Sequence, residues 1–352
     1  MADYSIFNEE NPPNSGAIME AFLLAKPMIR KYRNVGCSIS GGADSDILID
    51  LVTKSDPMNK VKYVFFNTGL EFEATRRHIK ALEIKYGVKI EELRPVKSIV
   101  TCCREYGLPF ISKGVSEYIE RLQACGFKWE DRPFEELLEK YCREIPESDA
   151  LDDQGKTRRF VAKYKGRYFK GSFSALCWWS NHYSVGSRFN ISHNRGLREF
   201  MIDNPPGSDL RISNKCCHWT KKKVVHDWNR KNGIELNIFG IRKSEGGRRS
   251  TAHKSCFSKS SAKNDSDEYK PLFFFEKADK EEYEKFYHIE HSDCYTRYGM
   301  TRTGCAGCPF GRDFEKELIV MRKYEPNLYK VACNVFSKSY EYTRQYKEYI
   351  KL

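Results

Sequence analysis

The sequence predicts an α/β protein built on a doubly wound, mostly parallel sheet, and three observations predict it. NVGCSIS (34–40), VKYVFFNTG (61–69) and KIEELRP (89–95) are short β-prone runs of about strand length. The first two are each followed by a stretch with helical apolar spacing, ILIDLVTKS (47–55) and EFEATRRHIKALEIKYG (71–87). Strands alternating with helices argue for parallel pairing through right-handed crossovers. The turn after the first run is SGGADS (40–45), two adjacent glycines where a buried strand hands over to a helix.

The remaining elements follow in order. Residues 17–33 (AIMEAFLLAKPMIRKYR) have helical spacing and end in cations, as a helix C-terminus favours. Residues 100–150 read as mainly helical, with ERLQACGFKW (120–129) and RPFEELLEKYCREI (132–145) the clearest pieces. From Gln154 to Arg198 there is no Asp or Glu, but there are ten Lys or Arg and nine aromatics. Past Ile212 the α/β pattern returns, with a helix at 221–233, a strand at 234–242 and a loop at 243–253. SKSSAKNDSDEYK (258–270) reads as an exposed loop, and 315–352 as one or two helices rich in Tyr and Lys. No internal repeat is present.

Composition bounds the function. The 352 residues carry 60 Lys and Arg against 48 Asp and Glu, a net charge of +12, which favours a polyanionic partner without requiring one. No apolar run is long enough to span a membrane. The polar, acidic start, MADYSIFNEENPPNSG, is unlike a secretory signal, so the expected location is the cytoplasm. Thirteen cysteines in such a compartment are expected as thiols or metal ligands rather than a disulfide framework.

SGGADS lacks the GxxxxGK[ST] and GxGxxG patterns, yet it sits where a phosphate loop belongs. Gly41 and Gly42 can expose backbone N–H groups, Ser40 and Ser45 add hydroxyls, and the helix start adds partial positive charge. The plain alternative is an ordinary turn capped by Asp44 or Ser45. The loop resembles the SGGxDS pyrophosphate loop of the adenine nucleotide α-hydrolase-like superfamily. VFFNTGLEFEAT (64–75), GIRKSEGGRR (240–249) and PLFFFEKADKEEYEKF (271–286) resemble, in order, three segments of its phosphoadenosine phosphosulfate (PAPS) reductase branch. Asn67 stands where that branch usually has Asp, and Phe replaces its loop Trp.

That resemblance implies a nucleotide site at Ser38, Ser40, Gly41, Gly42, Asp44, Ser45, Asn67, Thr68, Gly69, Arg242, Glu245 and Arg248. Asp44, Ser45, Arg242 and Arg248 are the candidate catalytic groups, the nucleotide is ATP or PAPS, and Mg²⁺ is expected with it. It also implies a division into a first part of the nucleotide domain (1–100), a mainly helical insert (101–210), a second part with the cysteines (211–312) and C-terminal helices (313–352).

KCCHW supplies Cys216 and Cys217, and GCAGCPFG supplies Cys305 and Cys308. Four thiolates suit zinc or an iron–sulfur cluster equally well. An adjacent pair followed by C-x-x-C resembles the [4Fe–4S] ligand set of bacterial adenylylsulfate reductases, which implies a cluster, with zinc the alternative. Cys256, Cys294, Cys102 and Cys103 are candidate thiols of either structural or catalytic kind.

Sulfonucleotide reductases carry a nucleophilic cysteine near the C-terminus, whereas this chain ends SKSYEYTRQYKEYIKL, and its last cysteine is Cys333. The expected activity is therefore ATP-dependent adenylation with sulfur transfer, supplied by a donor such as a cysteine desulfurase. The acceptor is nucleic acid, tRNA or DNA, if segment 154–198 is a stacking and backbone-tracking groove. The same segment reads otherwise as an insert with a basic face and a Trp-Trp core contact. The alternatives are a reductase that releases sulfite and a non-catalytic nucleotide- or nucleic-acid-binding module.

Overall fold

The computed structural model describes residues 13–245, 253–260 and 265–351, and the chain forms two compact units. The first takes residues up to Ile99, Cys217–Ala306 and Lys316–Tyr329. The second takes Val100–Cys216, Gly307–Glu315 and the chain from Lys330.

The first unit is built on a six-stranded sheet. Its strands are β1 (Val35–Ile39), β2 (Val61–Phe66), β3 (Ile90–Leu93), β7 (Leu236–Phe239), β8 (Phe257–Ser258) and β9 (Asp267–Tyr269). The strands between them in the chain, β4 (Arg143–Ile145), β5 (Val161–Tyr164) and β6 (Arg167–Lys170), belong to the second unit. The spatial order is β3-β2-β1-β7-β9-β8, parallel throughout except where β8 pairs antiparallel with β9. Val35, Cys37 and Ile39 on one face of β1 and Gly36 on the other are buried, as in a strand covered on both faces. They share a core with Phe22 and Ile29 of α1 (Gly16–Lys31), with Ile47, Leu48 and Leu51 of α2 (Ala43–Ser55), and with Ile79 and Leu82 of α3 (Glu73–Tyr86).

Strand order places the site. The chain steps outward from β1 to β2 to β3, then returns to β7 on the opposite side of β1. The direction of winding reverses between β1 and β7, whose pairing runs in parallel up to Ser38 and Phe239. In open α/β sheets the crevice beyond such a reversal, at the carboxyl ends of the strands, is where ligands bind. The residues that leave those two ends are the SGGADS loop and Gly240–Glu245.

The second unit has helices as its main elements and adds a small sheet. It carries helices Lys113–Ala124, Phe134–Tyr141 and Phe173–Trp179, but also a three-stranded antiparallel sheet in the order β4-β6-β5. Lys165 and Gly166 join β5 to β6 with φ +45° and +80°, positive at both central positions as a two-residue hairpin turn requires. Trp178 and Trp179 are buried in this unit's core, with Trp178 stacked on Tyr118 and the Trp179 indole donating to the Glu130 carbonyl at 3.0 Å. The expected loop at 258–270 is also corrected in part, because Asp267–Tyr269 is a sheet strand and Ser258 ends another.

Candidate functional site

Ser40, Gly41 and Gly42 connect β1 to α2. Gly41 lies at φ +68°, and a Cβ there would come within 2.7 Å of Thr75 Cγ2, so both conformation and space demand glycine. Gly42 is the N-cap of α2, and its carbonyl accepts from the amides of Ser45 at 2.7 Å and Asp46 at 3.1 Å. The Ser45 hydroxyl donates to the same carbonyl at 2.8 Å and is buried, so Ser45 holds the turn from inside. The Ala43 amide donates to the Tyr295 hydroxyl at 3.2 Å. Among the described residues the amides of Gly41 and Asp44 find no acceptor. Open amides at a helix N-terminus make an anion-binding position.

Charge gathers on this position from two directions. Arg242, just past β7, donates from Nε to Asp44 Oδ2 at 3.0 Å. Lys280, on the helix Lys277–Phe286, approaches Asp44 Oδ1 at 3.2 Å and Glu284 Oε1 at 3.4 Å. The motif residues Arg242 and Asp44 are thus in direct contact. Sequence reasoning misses Lys280, although it lies inside the PLFFFEKADKEEYEKF segment. One lysine among several on a helix looks like ordinary surface charge.

Beneath the loop, α2 buries two acids one turn apart. Asp46 is fully buried between His78 Nε2 at 2.9 Å and His291 Nδ1 at 2.8 Å, and His291 Nε2 reaches Glu284 at 3.0 Å. Burial alone disfavours a charged His291 ring, but its hydrogen bonds to Asp46 and Glu284 outweigh this and push its pKa up to about 9. Asp50 accepts from Lys54, Tyr86 and Tyr283. Glu284 therefore links the Lys280 that reaches the loop to the histidine that supports the helix.

The β2 end contributes a second cluster. Thr68 Oγ1 donates to Glu71 Oε1 at 2.7 Å and lies 3.6 Å from Cys305 Sγ. Lys221 sits in a π-helical turn, His218–Lys222, a local irregularity frequent at functional sites. The Cys305 sulfur, with Glu71 and Cys217, holds the Lys221 ammonium above the ordinary lysine range. Burial pushes the Cys305 thiol up and Lys221 opposes it. Asn67 is spent within the protein: its Nδ2 donates to Glu92 Oε1 at 2.9 Å and its Oδ1 accepts from the Gly69 amide at 2.9 Å. An Asp could not donate to Glu92, which gives the departure at this position a structural reason. Ser38 Oγ faces Asn237 Oδ1 at 3.5 Å, and Glu245 accepts from the Arg242 amide at 3.3 Å. Arg248 lies outside the described residues.

Cys217 and Cys305 belong to the first unit, Cys216 and Cys308 to the second. Among the described residues no group of three or more Cys, His, Asp or Glu is gathered closely enough to hold a metal ion. The donor chemistry suits a thiophilic centre. Cys294 is buried with Thr75 Oγ1 3.6 Å away, and Cys102 and Cys103 are buried in the second unit. No described helix is long and apolar enough to cross a membrane.

Comparison with known proteins bears on the same segment. Residues 34–155 match the family model of the phosphoadenosine phosphosulfate reductase domain. This segment is a PAPS reductase-like domain. An uncharacterized protein of Methanocaldococcus jannaschii is 38% identical over 73 residues, which is 20% of this chain. The chain spans about 15% of the length of that curated relative. A PAPS reductase from Candida auris, solved as a phosphate complex, has TM-score 0.38 and 12% identity over 80% of this chain and 87% of its own. The U34-tRNA thiolase NcsA from Methanococcus maripaludis, solved with its [4Fe-4S] cluster, has TM-score 0.34 and 11% identity over 94% and 80%.

Proposed function

We propose that this PAPS reductase-like chain binds ATP at the 40–45 loop and uses it to adenylate an acceptor that then receives sulfur. The observation that supports this reading best is the convergence of Arg242 and Lys280 on Asp44 beside the open amides of Gly41 and Asp44, at the winding reversal of the sheet. Both cations meet on the Asp44 carboxylate, and Lys280 is shared with Glu284.

In this reading the triphosphate takes the place that Asp44 now fills for Arg242 and Lys280. An arginine fork and a lysine ammonium are complementary to phosphate oxygens. Asp44, released from both, would be free to hold Mg²⁺, which would supply further positive charge to the phosphates. An acceptor oxygen or amide attacks the α-phosphorus, the bond to the β-phosphate oxygen breaks, and pyrophosphate leaves. Arg242 and Lys280 offset the charge that develops on it. A persulfide sulfur, such as a cysteine desulfurase delivers, then attacks the activated carbon and displaces AMP, and a thiol reductant cleaves the resulting disulfide to leave the thiolated acceptor and the donor thiol. Ser45, buried against Gly42, acts by holding the loop rather than by touching phosphate.

A [4Fe–4S] cluster on Cys216, Cys217, Cys305 and Cys308, or zinc in its place, remains part of the proposal. No step here runs through it. Iron and acid-labile sulfide in anaerobically purified protein support the cluster, and stoichiometric zinc without iron rejects it. The nucleic-acid face is narrower than the aromatic count suggests. Trp178, Trp179, Tyr168 and Phe169 are core, whereas Phe160 and Phe189 are exposed beside Lys170 and Arg188, each about 5.2 Å away. These two pairs are the proposed stacking contacts for tRNA or DNA.

Pyrophosphate release from ATP, assayed with and without tRNA or DNA, tests the reading. Sulfite release from PAPS with a thiol reductant, and no pyrophosphate from ATP, transfers the chain to the reductase alternative.

A further inference from the structure

A cavity of about 540 Å³ lies wholly within the second unit, and neither the loop nor any of the four motif cysteines lines it. Its walls include Val100, Leu108 and Val335, which are apolar, and Asn334 and Ser208, which are polar. Arg104 and Arg211 stand on it, both exposed. Among the described residues neither guanidinium has an ion-pair or hydrogen-bond partner. The one carboxylate on the wall, Asp209, is already paired with Lys338 Nζ at 2.7 Å. The cavity therefore presents two uncompensated positive charges.

The backbone fixes the two arginines together. Gly107 ends the turn that begins at Cys103, and at φ +117° it lies so close to Arg211 that a Cβ would sit 2.5 Å from the Arg211 carbonyl oxygen. Leu108 N donates to that carbonyl at 2.7 Å and Ser213 N donates to Leu108 O at 2.9 Å, a short parallel bridge. Residue 104 is one helical turn before this clamp and residue 211 is inside it. Two forks with fixed origins match the oxygens of a phosphate. The volume exceeds what one inorganic ion needs and falls in the range of small-molecule sites. Apolar walls beside an amide and a carboxylate suit a flat, partly polar ring.

We propose that this cavity is a second nucleotide-binding site, taking the phosphate of a nucleotide on Arg104 and Arg211 and its base against Val100, Leu108 and Val335. The ligand is a free mononucleotide or one unit of a single strand, since both present the same phosphate and base. This site does not rest on the ATP reading of the loop.

Hydrogen–deuterium exchange on the full chain tests it, with AMP, a short single-stranded RNA and inorganic phosphate as separate probes. Slowed exchange in peptides covering 100–108 and 207–213 is expected with AMP if the source is a free nucleotide, or with the RNA alone if it is a strand. R104A and R211A should each weaken that protection by roughly 10- to 100-fold in ligand concentration. Both side chains are exposed and unpaired, so the variants should fold, and an unchanged melting temperature checks this. Protection at 38–46 reports the loop separately and should survive in both variants. No protection at 100–108 and 207–213 with any probe, or equal protection in R104A and R211A, overturns the proposal. So does equal protection by inorganic phosphate and AMP, which leaves an ion site only.

Discussion

Replacing His291 by Gln removes the charged ring that bridges Asp46 and Glu284, and its effect should depend on pH in a defined direction. The folded ring titrates at about 9 against an ordinary value of 6.5. A group whose pKa is raised on folding contributes fully below the unfolded value and loses that contribution as pH rises through the folded one. A tenfold change in proton affinity corresponds to about 1.4 kcal/mol. The interval from 6.5 to 9 therefore amounts to about 3 kcal/mol, an upper figure because the side chain is 18% exposed. Urea unfolding of wild type and H291Q between pH 6 and 9.5 measures it. The stability advantage of wild type should be largest near pH 6 and shrink toward pH 9.5 by up to that amount. A difference that stays flat across the range, or an imidazole titrating near 6.5 by NMR, would refute the buried bridge.

Two other substitutions probe the loop and its surroundings. G41A places a Cβ in the left-handed region against Thr75; thermal melts should show a loss of about 1–2 kcal/mol, and nucleotide affinity should fall at least about tenfold, since roughly 1.4 kcal/mol suffices for that. Unchanged affinity would remove the loop from the site. N67D sets a carboxylate where Nδ2 now donates to Glu92, at a cost of about 1–3 kcal/mol for the lost and unsatisfied contact. Because protonation of either carboxylate relieves it, the melting-temperature deficit should narrow as pH falls toward 5, and a deficit independent of pH would count against the contact.

The sheet and loop are legible in the sequence because their signals are local. An apolar run, two glycines and a following amphipathic stretch sit within residues 34–55, and each states its own geometry. What is not legible depends on partners far along the chain. Asp46 and Asp50 look like interruptions of an apolar helix face until His78, Tyr283 and His291 are brought to them. Lys280 is indistinguishable from its neighbours until its position opposite Asp44 is known. The hairpin at 161–170 is hidden by charge. VAKYKGRYFK reads as a basic face, and its turn uses Lys165 where Asn or Asp would have announced it. The adjacent tryptophans suit a stacking groove or a core contact equally in sequence, and the helix 173–179 buries them together.

The central claim is that the turn between β1 and α2 holds the phosphates of an adenine nucleotide. A crystal structure with α,β-methylene ATP and Mg²⁺, whose methylene bridge cannot be cleaved at that position, tests it most directly. The account predicts phosphate oxygens on the Gly41 and Asp44 amides, with Arg242 and Lys280 turned from Asp44 to the phosphates. Nucleotide bound elsewhere, with Arg242 and Lys280 still paired to Asp44, would contradict it.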